Sequence, residues 1–263
     1  MLAEAALYLL LGSAVGILAG LLGVGGGLII VPILAIIFAA QGMPVEIIMH
    51  LALGTSLASI LVTSLSSVYS HHKKNAVTWA HAIKLSPGIL TGAACGGLLA
   101  SNLTTDILKP AFATFELMVA AYMIWGGKLS SHNSTPSLFN FSLSGGVIGL
   151  ISSLVGIGGG SMTVPWLSWH GSSIHKAIAT SAAVGFPIAL GGSLSYLLTG
   201  WNHAQLPAYS SGFIYLPALA GIIISSSIFA PLGAAWAHQL EVKKLKKIFA
   251  LLLISMAIYL FLN

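Results

Sequence analysis

The sequence predicts an all-α polytopic membrane protein made of two inverted repeats of five segments, each starting with a glycine-broken helical hairpin. Its composition is 57% hydrophobic and only 6% charged, whereas a soluble domain carries roughly 25% charged residues. A glycine-rich stretch occurs twice in the chain. Nine of the ten lysines fall on the same side of the membrane if each repeat has an odd number of segments. The apolar runs have the length of helices, which excludes an outer-membrane barrel.

The duplicated stretch reads GILAGLLGVGGGLIIVPIL at 16–34 and GLISSLVGIGGGSMTVPWL at 149–167, with nine identities in nineteen positions and no gap. In both copies a glycine cluster interrupts an apolar run, and a proline follows five residues after the last glycine. Inside a helix each glycine costs about 1 kcal/mol against alanine, and proline costs about 3 kcal/mol. Each copy therefore predicts a broken helical hairpin whose tip is the glycine cluster.

The apolar runs divide the chain into ten segments, with about eight full spans and the remainder short hairpin arms. The first half contains arm 6–22, a glycine loop 23–27, arm 28–40, and spans 45–69, 84–101 and 107–126, with a polar loop at 69–84. The second half contains arms 139–155 and 161–170 and spans 176–199, 211–238 and 245–262. We expect repeats at 1–126 and 139–263, joined by a turn-forming cytoplasmic linker at 127–138.

The positions of the lysines distinguish between two membrane topologies. If each broken segment is a single span, six lysines lie on one side and four on the other; if it is a hairpin, nine lie together and only Lys109 lies opposite. The positive-inside rule favours the second arrangement. It gives five segments per half, so the halves are inverted and both termini face outward from the cytoplasmic (inner) membrane.

The hairpin tips predict a site for a small anion. An arm of thirteen residues reaches about 20 Å, against an apolar core of about 30 Å, so we expect the two tips to meet inside the membrane. A helix N-terminus there presents unpaired N–H groups and a positive dipole end, and glycine lets a ligand approach the backbone closely. The alternative is that the glycines only permit tight helix packing. The candidate substrate-binding glycines are Gly25, Gly26, Gly27, Gly158, Gly159 and Gly160, and Ser161 follows them.

Hydroxyls at matching positions of the two halves add candidates. The pairs Thr55-Ser56 and Thr180-Ser181 each sit in an apolar run, where they could donate to an oxyanion or only bond to nearby backbone. His50 and His175 also match. As secondary candidates they would orient an anion or cap a helix.

Glu116 is the only carboxylate near the middle of a predicted span, and its counterpart in the second half is Leu253. Carboxylates within the membrane are costly and usually functional. Two roles stay open for Glu116: coupling transport to protons, or a buried structural hydrogen bond.

Other function classes have less support. No HExxH, GxSxG, Walker loop or paired cysteine cluster is present, so neither a catalytic site nor a metal or cofactor site is predicted. The net charge is +5 with histidines counted as neutral, and all ten basic residues are lysines. We interpret these lysines as a signal of membrane topology, not as a nucleic-acid-binding surface. An anion channel or a packing subunit of a membrane complex remains the alternative to a transporter, and the oligomeric state is left open.

Several stretches taken together resemble the TauE/SafE family of membrane transporters along essentially the whole chain. They are GLLGVGGGLIIVP, HLALGTSLASI, GLISSLVGIGGGSMTVP, HKAIATSAAVGFPIAL and the C-terminal run from Leu216 to Leu253. The resemblance implies a transporter in the cytoplasmic membrane that exports sulfite, sulfoacetate or another organosulfonate. This agrees with the partners expected from the residues, which are a small anionic substrate and the lipid bilayer, with the proton as candidate coupling ion because of Glu116.

Overall fold

The computed structural model describes residues 2–22, 26–126, 136–236 and 242–262. Within them it contains ten α-helices, one short 3-10 helix at Val45–Ile47 and a two-stranded antiparallel hairpin of β1 (Ser210–Ser211) and β2 (Ile214–Tyr215). The helices are α1 (Leu2–Leu22), α2 (Gly27–Ala40), α3 (Ile48–Lys73), α4 (Trp79–Ser101), α5 (Thr105–Trp125), α6 (Leu138–Leu154), α7 (Gly160–Trp169), α8 (Ile174–Gly200), α9 (Leu216–Trp236) and α10 (Val242–Leu262). The all-α fold and the ten helical segments are confirmed.

Four helical segments of the described chain have the length and apolar composition needed to cross a membrane. They are Val45–Lys73, Trp79–Ser101, Thr105–Trp125 and Ile174–Gly200, and shorter apolar helices accompany them. The first is the most deeply buried of the four and the third the least. The core therefore surrounds α3, and α5 lies towards the outside, as expected for a multi-pass membrane protein.

Two predicted boundaries were wrong. The polar loop at 69–84 shrinks to 74–78, because α3 continues through His71, His72 and Lys73, whose side chains suit the negative end of the helix dipole. The span 211–238 starts later, at Leu216, because the residues before it form the β-hairpin. Pro217 fits the first turn of a helix, where its missing N–H costs nothing.

The helices pair in the same way in both halves. The first helix of each half packs along the fourth helix of the other: α1 along α9, and α6 along α4. A Cβ on Gly16 of α1 would press on the backbone of Ser226 and Ala230, and one on Gly149 of α6 would press on the backbone of Ile89 and Ala93. The halves also meet through α3 with α8 and through α5 with α10.

The two broken hairpins touch, since a Cβ on Gly27 of the first would meet the backbone of Gly156 and Ile157 in the second. The boundaries 1–126 and 139–263 stay predictions, since residues 127–135 of the expected linker lie outside the described part of the chain.

Candidate functional site

The tips of the two broken hairpins line one cavity of about 320 Å³. Gly26 comes from the first tip, and Gly158, Gly159 and Gly160 come from the second. The remaining wall is formed by α1, the second half of α3, the first half of α8, and α9. The predicted meeting of the two tips therefore occurs in the fold.

Both short helices start at this cavity. Gly26 is the N-cap of α2 and Gly159 is the N-cap of α7, and neither helix has a side-chain cap. The first N–H groups of a helix have no partner within the helix, so these two ends offer donors and positive dipole ends to the same space. This is the arrangement that favours an anion.

The two N-cap glycines do not have a positive φ. Gly26 has φ −63° and Gly159 has φ −64°, which any residue can adopt. In the second loop it is Gly156 that has a positive φ, of 63°. The glycines at the caps are thus favoured by space: a Cβ on Gly159 would lie 2.9 Å from the carbonyl oxygen of Ser181.

The other tip glycines differ in role. Gly27 packs against the second loop, where a Cβ on it would lie 2.5 Å from the carbonyl oxygen of Gly156 and 2.8 Å from the Cα of Ile157. Gly25 lies outside the described residues. Gly27 therefore joins the two tips, as the packing alternative proposed.

The two threonines bind backbone. The Thr55 hydroxyl oxygen accepts from the N–H of Tyr215 at 2.9 Å, and the Thr180 hydroxyl oxygen accepts from the N–H of Thr78 at 3.0 Å. Tyr215 directly precedes α9 and Thr78 directly precedes α4. Each threonine thus holds the start of the fourth helix of the other half, and neither lines the cavity.

The serines of the two pairs have different environments. Ser56 is fully buried and donates to the carbonyl oxygen of Gly156 at 2.7 Å, which fixes the second glycine loop. Ser181 lines the cavity and donates to the carbonyl oxygen of Ile178 in its own helix at 2.7 Å. The hydroxyl of Ser161, in the first turn of α7, is buried without a hydrogen-bond partner.

The secondary and coupling candidates lie away from the cavity. His50 is buried, and its Nε2 donates to the carbonyl oxygen of Leu103 at 3.0 Å, whereas His175 is exposed. Glu116 on α5 is fully buried, and neither carboxylate oxygen has a hydrogen-bond partner. Among the described residues, Glu116 therefore has no partner for the structural hydrogen bond considered above.

Sequence reasoning missed a row of polar side chains that continues the cavity along α3. It consists of Thr63, Ser64, Ser66, Ser67, Ser70, His71 and Lys74. The signal was available, since Thr63, Ser67, Ser70 and Lys74 follow the spacing of three to four residues that places side chains on one side of a helix. No acidic side chain is among the described residues that line the cavity.

Comparison with known proteins gives one family and several relatives. The profile of the family described as "Sulfite exporter TauE/SafE" matches residues 8–260. A probable membrane transporter protein of Haemophilus influenzae is 40% identical over 98% of both chains. A probable membrane transporter protein of Methanocaldococcus jannaschii is 29% identical over 97% of this chain and 95% of its own. The probable membrane transporter protein YunE of Bacillus subtilis is 25% identical over 94% of each. No solved structure matches the chain significantly.

Proposed function

This chain is a membrane transporter that belongs to the TauE/SafE family, and on that premise we propose that it carries a small oxyanion, sulfite or an organosulfonate, through the cavity between the two glycine tips. The observation that carries the proposal is that two uncapped helix N-termini, at Gly26 and Gly159, line the same cavity. Such ends bind sulfate, phosphate and carboxylate groups in many proteins.

The wall of the cavity supports an anion in two further ways. Hydroxyls of α3 and α9 can donate to sulfonate or sulfite oxygens, and Lys74 adds a positive charge where α3 ends. An anion would meet donors along the whole row without passing a carboxylate among the described lining residues. Lysine acts here as a point charge, since the chain has no arginine to offer two parallel hydrogen bonds.

The proposed direction of transport rests on the lysine distribution. The topology favoured by the positive-inside rule puts Lys74 on the cytoplasmic side of an inner membrane, with both termini outside. The cavity then opens to the cytoplasm, where a sulfite or organosulfonate exporter collects its substrate. Substrate loading from the Lys74 end is therefore part of the proposal.

A binding screen tests the substrate and the site together. We expect purified protein to bind sulfite or sulfoacetate more tightly than simple carboxylates, and Lys74→Gln to weaken binding and reduce its dependence on salt. Lys73→Gln is the matched control, because the Lys73 ammonium lies 4.4 Å from the centre of the Tyr69 ring and does not line the cavity. Equal effects of the two changes, or no binding of any of these anions, would contradict the proposal.

Glu116 is the proposed coupling residue for protons. A buried carboxyl without a hydrogen-bond partner has no evident structural purpose, and titratable groups within the membrane commonly serve as proton relays. Because Glu116 does not line the cavity, coupling would act through the contacts of α5 with α3 and α10.

Reconstituted protein separates coupling from stability. Glu116→Gln should bind the anion like the parent but lose the response of flux to an imposed pH gradient. If Glu116→Gln keeps the full response, Glu116 is not the coupling residue. Glu116→Leu provides the comparison for packing, because Leu253 occupies the matching position of the second half.

A further inference from the structure

The cleft that forms the cavity has a counterpart in the other half of the molecule, and there it is closed. The open cleft lies between α3 on one side and α1 with α9 on the other. By the pairing of the halves, its counterpart lies between α8 and the pair of α6 with α4. In that place α8 packs on α4 far more extensively than α3 packs on α9. We call this closed contact the α4–α8 seam.

The residues match one by one. The hydroxyl oxygens of Thr55 and Thr180, 125 positions apart, accept equivalent hydrogen bonds, and the backbone N–H groups of Tyr215 and Thr78, 137 positions apart, donate them. With these offsets, the cavity residues Ser66, Ser67, Ser70, Ser227, Ala230 and Pro231 correspond to Gly191, Gly192, Ser195, Leu90, Ala93 and Ala94. The second set is the set that meets in the seam. A Cβ on Gly191 would lie 2.7 Å from the carbonyl oxygen of Leu90, and the Ser195 hydroxyl donates to the carbonyl oxygen of Ala94 at 3.0 Å.

The seam also contains a polar group that the closed packing does not satisfy. Ser153 of α6 is fully buried, and its hydroxyl has no hydrogen-bond partner within the described part of the chain. That hydroxyl lies 2.7 Å from the Cβ position of Gly192 and 3.3 Å from that of Gly97. Leaving a buried hydroxyl unpaired costs about 1–3 kcal/mol, so such groups in native proteins call for an explanation. A hydroxyl that meets the substrate when the seam opens explains it.

Beyond the seam lies a second cavity of about 670 Å³, at the opposite end of α3 from Lys74. Leu98 and Thr199 line it, and they belong to the turns that follow Gly97 on α4 and Ser195 on α8. Thr199 occupies the position that corresponds to Lys74, 125 residues earlier. The two ends of the molecule therefore have matching positions but different charge.

We infer that the α4–α8 seam is the closed second half of the substrate path, and that it opens to the second cavity when the cleft between α3 and α9 closes. This rests on the proposed transport function. Inverted halves allow such an exchange, because each half can adopt the packing that the other half has now. The same sites then serve both ends in turn, and no open pore joins them. With threonine in place of lysine at the second end, the anion is held more weakly there and is released.

The first test measures opening without any substrate. In a Cys95→Ser background, a cysteine at Ser195 should react slowly with a thiol reagent, because Ser195 is 5% exposed. Adding Gly191→Ala should raise the labelling rate about tenfold, since the new Cβ forces α8 away from α4. Gly146→Ala is the matched control on α6, where a Cβ would meet no atom closer than 3.8 Å and labelling should not change. Equal rates in the two variants would overturn the inference.

The second test measures transport and does not depend on the first variant folding. A cleavable thiol cross-linker between cysteines at Ala94 and Ser195 should hold the seam closed. We expect sulfite binding from the Lys74 end to persist, flux to fall at least about tenfold, and cleavage of the linker to restore it. Full flux in the linked protein would overturn the inference while leaving the proposed function intact. Absence of anion binding in the parent protein would instead remove the proposed function, whatever the labelling shows.

Discussion

The two glycine tips share a sequence but differ in what surrounds them. At the first tip, the three described atoms nearest to a Cβ on Gly26 would all be side-chain atoms, from Val15 and Ile30. At the second, a Cβ on Gly159 would first meet a backbone oxygen, that of Ser181. Side chains can rotate away, whereas a helix backbone cannot. One repeated motif thus produces an adjustable wall and a fixed wall around the same cavity.

The second tip is fixed from several directions. Its loop carries a positive φ at Gly156, and the carbonyl oxygen of Gly156 accepts from Ser56 and lies against Gly27. The helix that follows the first tip therefore packs on the second tip. Contacts to the backbone hold the second tip in place. The difference teaches that a duplicated sequence can keep its backbone path while dividing the structural and adaptable roles between its copies.

Gly156→Ala should have the largest effect on stability. Alanine is strained at φ 63°, and its Cβ would lie 2.7 Å from Leu53 Cδ2. We expect a loss of about 2–3 kcal/mol, measured as unfolding in detergent. Gly42→Ala is the control, because Gly42 has φ 71° but nothing within 4 Å of its Cβ position, so it should lose only about 1 kcal/mol. Equal losses would show that the second tip is not tightly held.

Gly159→Ala and Gly26→Ala compare the two walls directly. We expect anion affinity to fall more than about tenfold for Gly159→Ala, since only a backbone shift makes room for the Cβ, and about threefold for Gly26→Ala. Val15→Ala should restore the Gly26→Ala variant, because Val15 is the side chain that its Cβ would meet first. Titration of the purified variants with sulfite measures both effects. The comparison fails if Gly26→Ala is the more damaging change.

Ser56→Ala and Ser181→Ala should affect different properties. Ser56→Ala leaves the buried carbonyl oxygen of Gly156 without its donor and should cost about 1–2 kcal/mol of unfolding free energy. Ser181→Ala removes a hydroxyl that lines the cavity, so it should lower anion affinity and change stability by less than about 0.5 kcal/mol. Thermal unfolding and anion binding measured on both variants test these two roles. Equal changes of stability and of affinity in the two variants would contradict the assigned roles.

Thr55→Val and Thr180→Val should have a modest effect on stability alone, and an equal one. Each removes the acceptor for one N–H at the start of a helix, which costs about 1 kcal/mol, as a lost N-cap does. The two losses should agree within about 0.5 kcal/mol, because the bonds are equivalent in the two halves. Chemical or thermal unfolding checks this, and a clear inequality would break the equivalence on which the residue matching rests.

Much of the fold could be predicted because apolar length and glycine breaks are local signals. The predicted arm 28–40 and the helix Gly27–Ala40 nearly coincide, as do 107–126 and Thr105–Trp125. The β-hairpin was missed because its strands are two residues long and depend on contacts with distant helices, such as the bond from the Phe213 N–H to the Tyr196 carbonyl oxygen. Short strands of this kind leave no periodic pattern.

The candidate site was predictable only in part. A repeated glycine tip indicates a helix N-terminus, but sequence cannot tell whether a hydroxyl faces a cavity or a backbone group. Thr55 and Thr180 bond to backbone N–H groups, which is one of the two roles that the sequence left open, and the polar row of α3 was overlooked. Which hydroxyl is free depends on how α9 and α4 dock, and that docking is a long-range property.

The crossed pairing of first and fourth helices has a consequence for biosynthesis. Helix α1 ends at Leu22, yet its partner α9 begins at Leu216, so most of the chain is made before α1 meets the helix it packs on. Contacts so distant in sequence form late and leave surfaces unpaired meanwhile. Gly12 and Gly16, which need the close approach of α9, stay uncovered on the nascent chain throughout that interval. The first half is thus an incomplete structure when it leaves the ribosome, and the second half completes it.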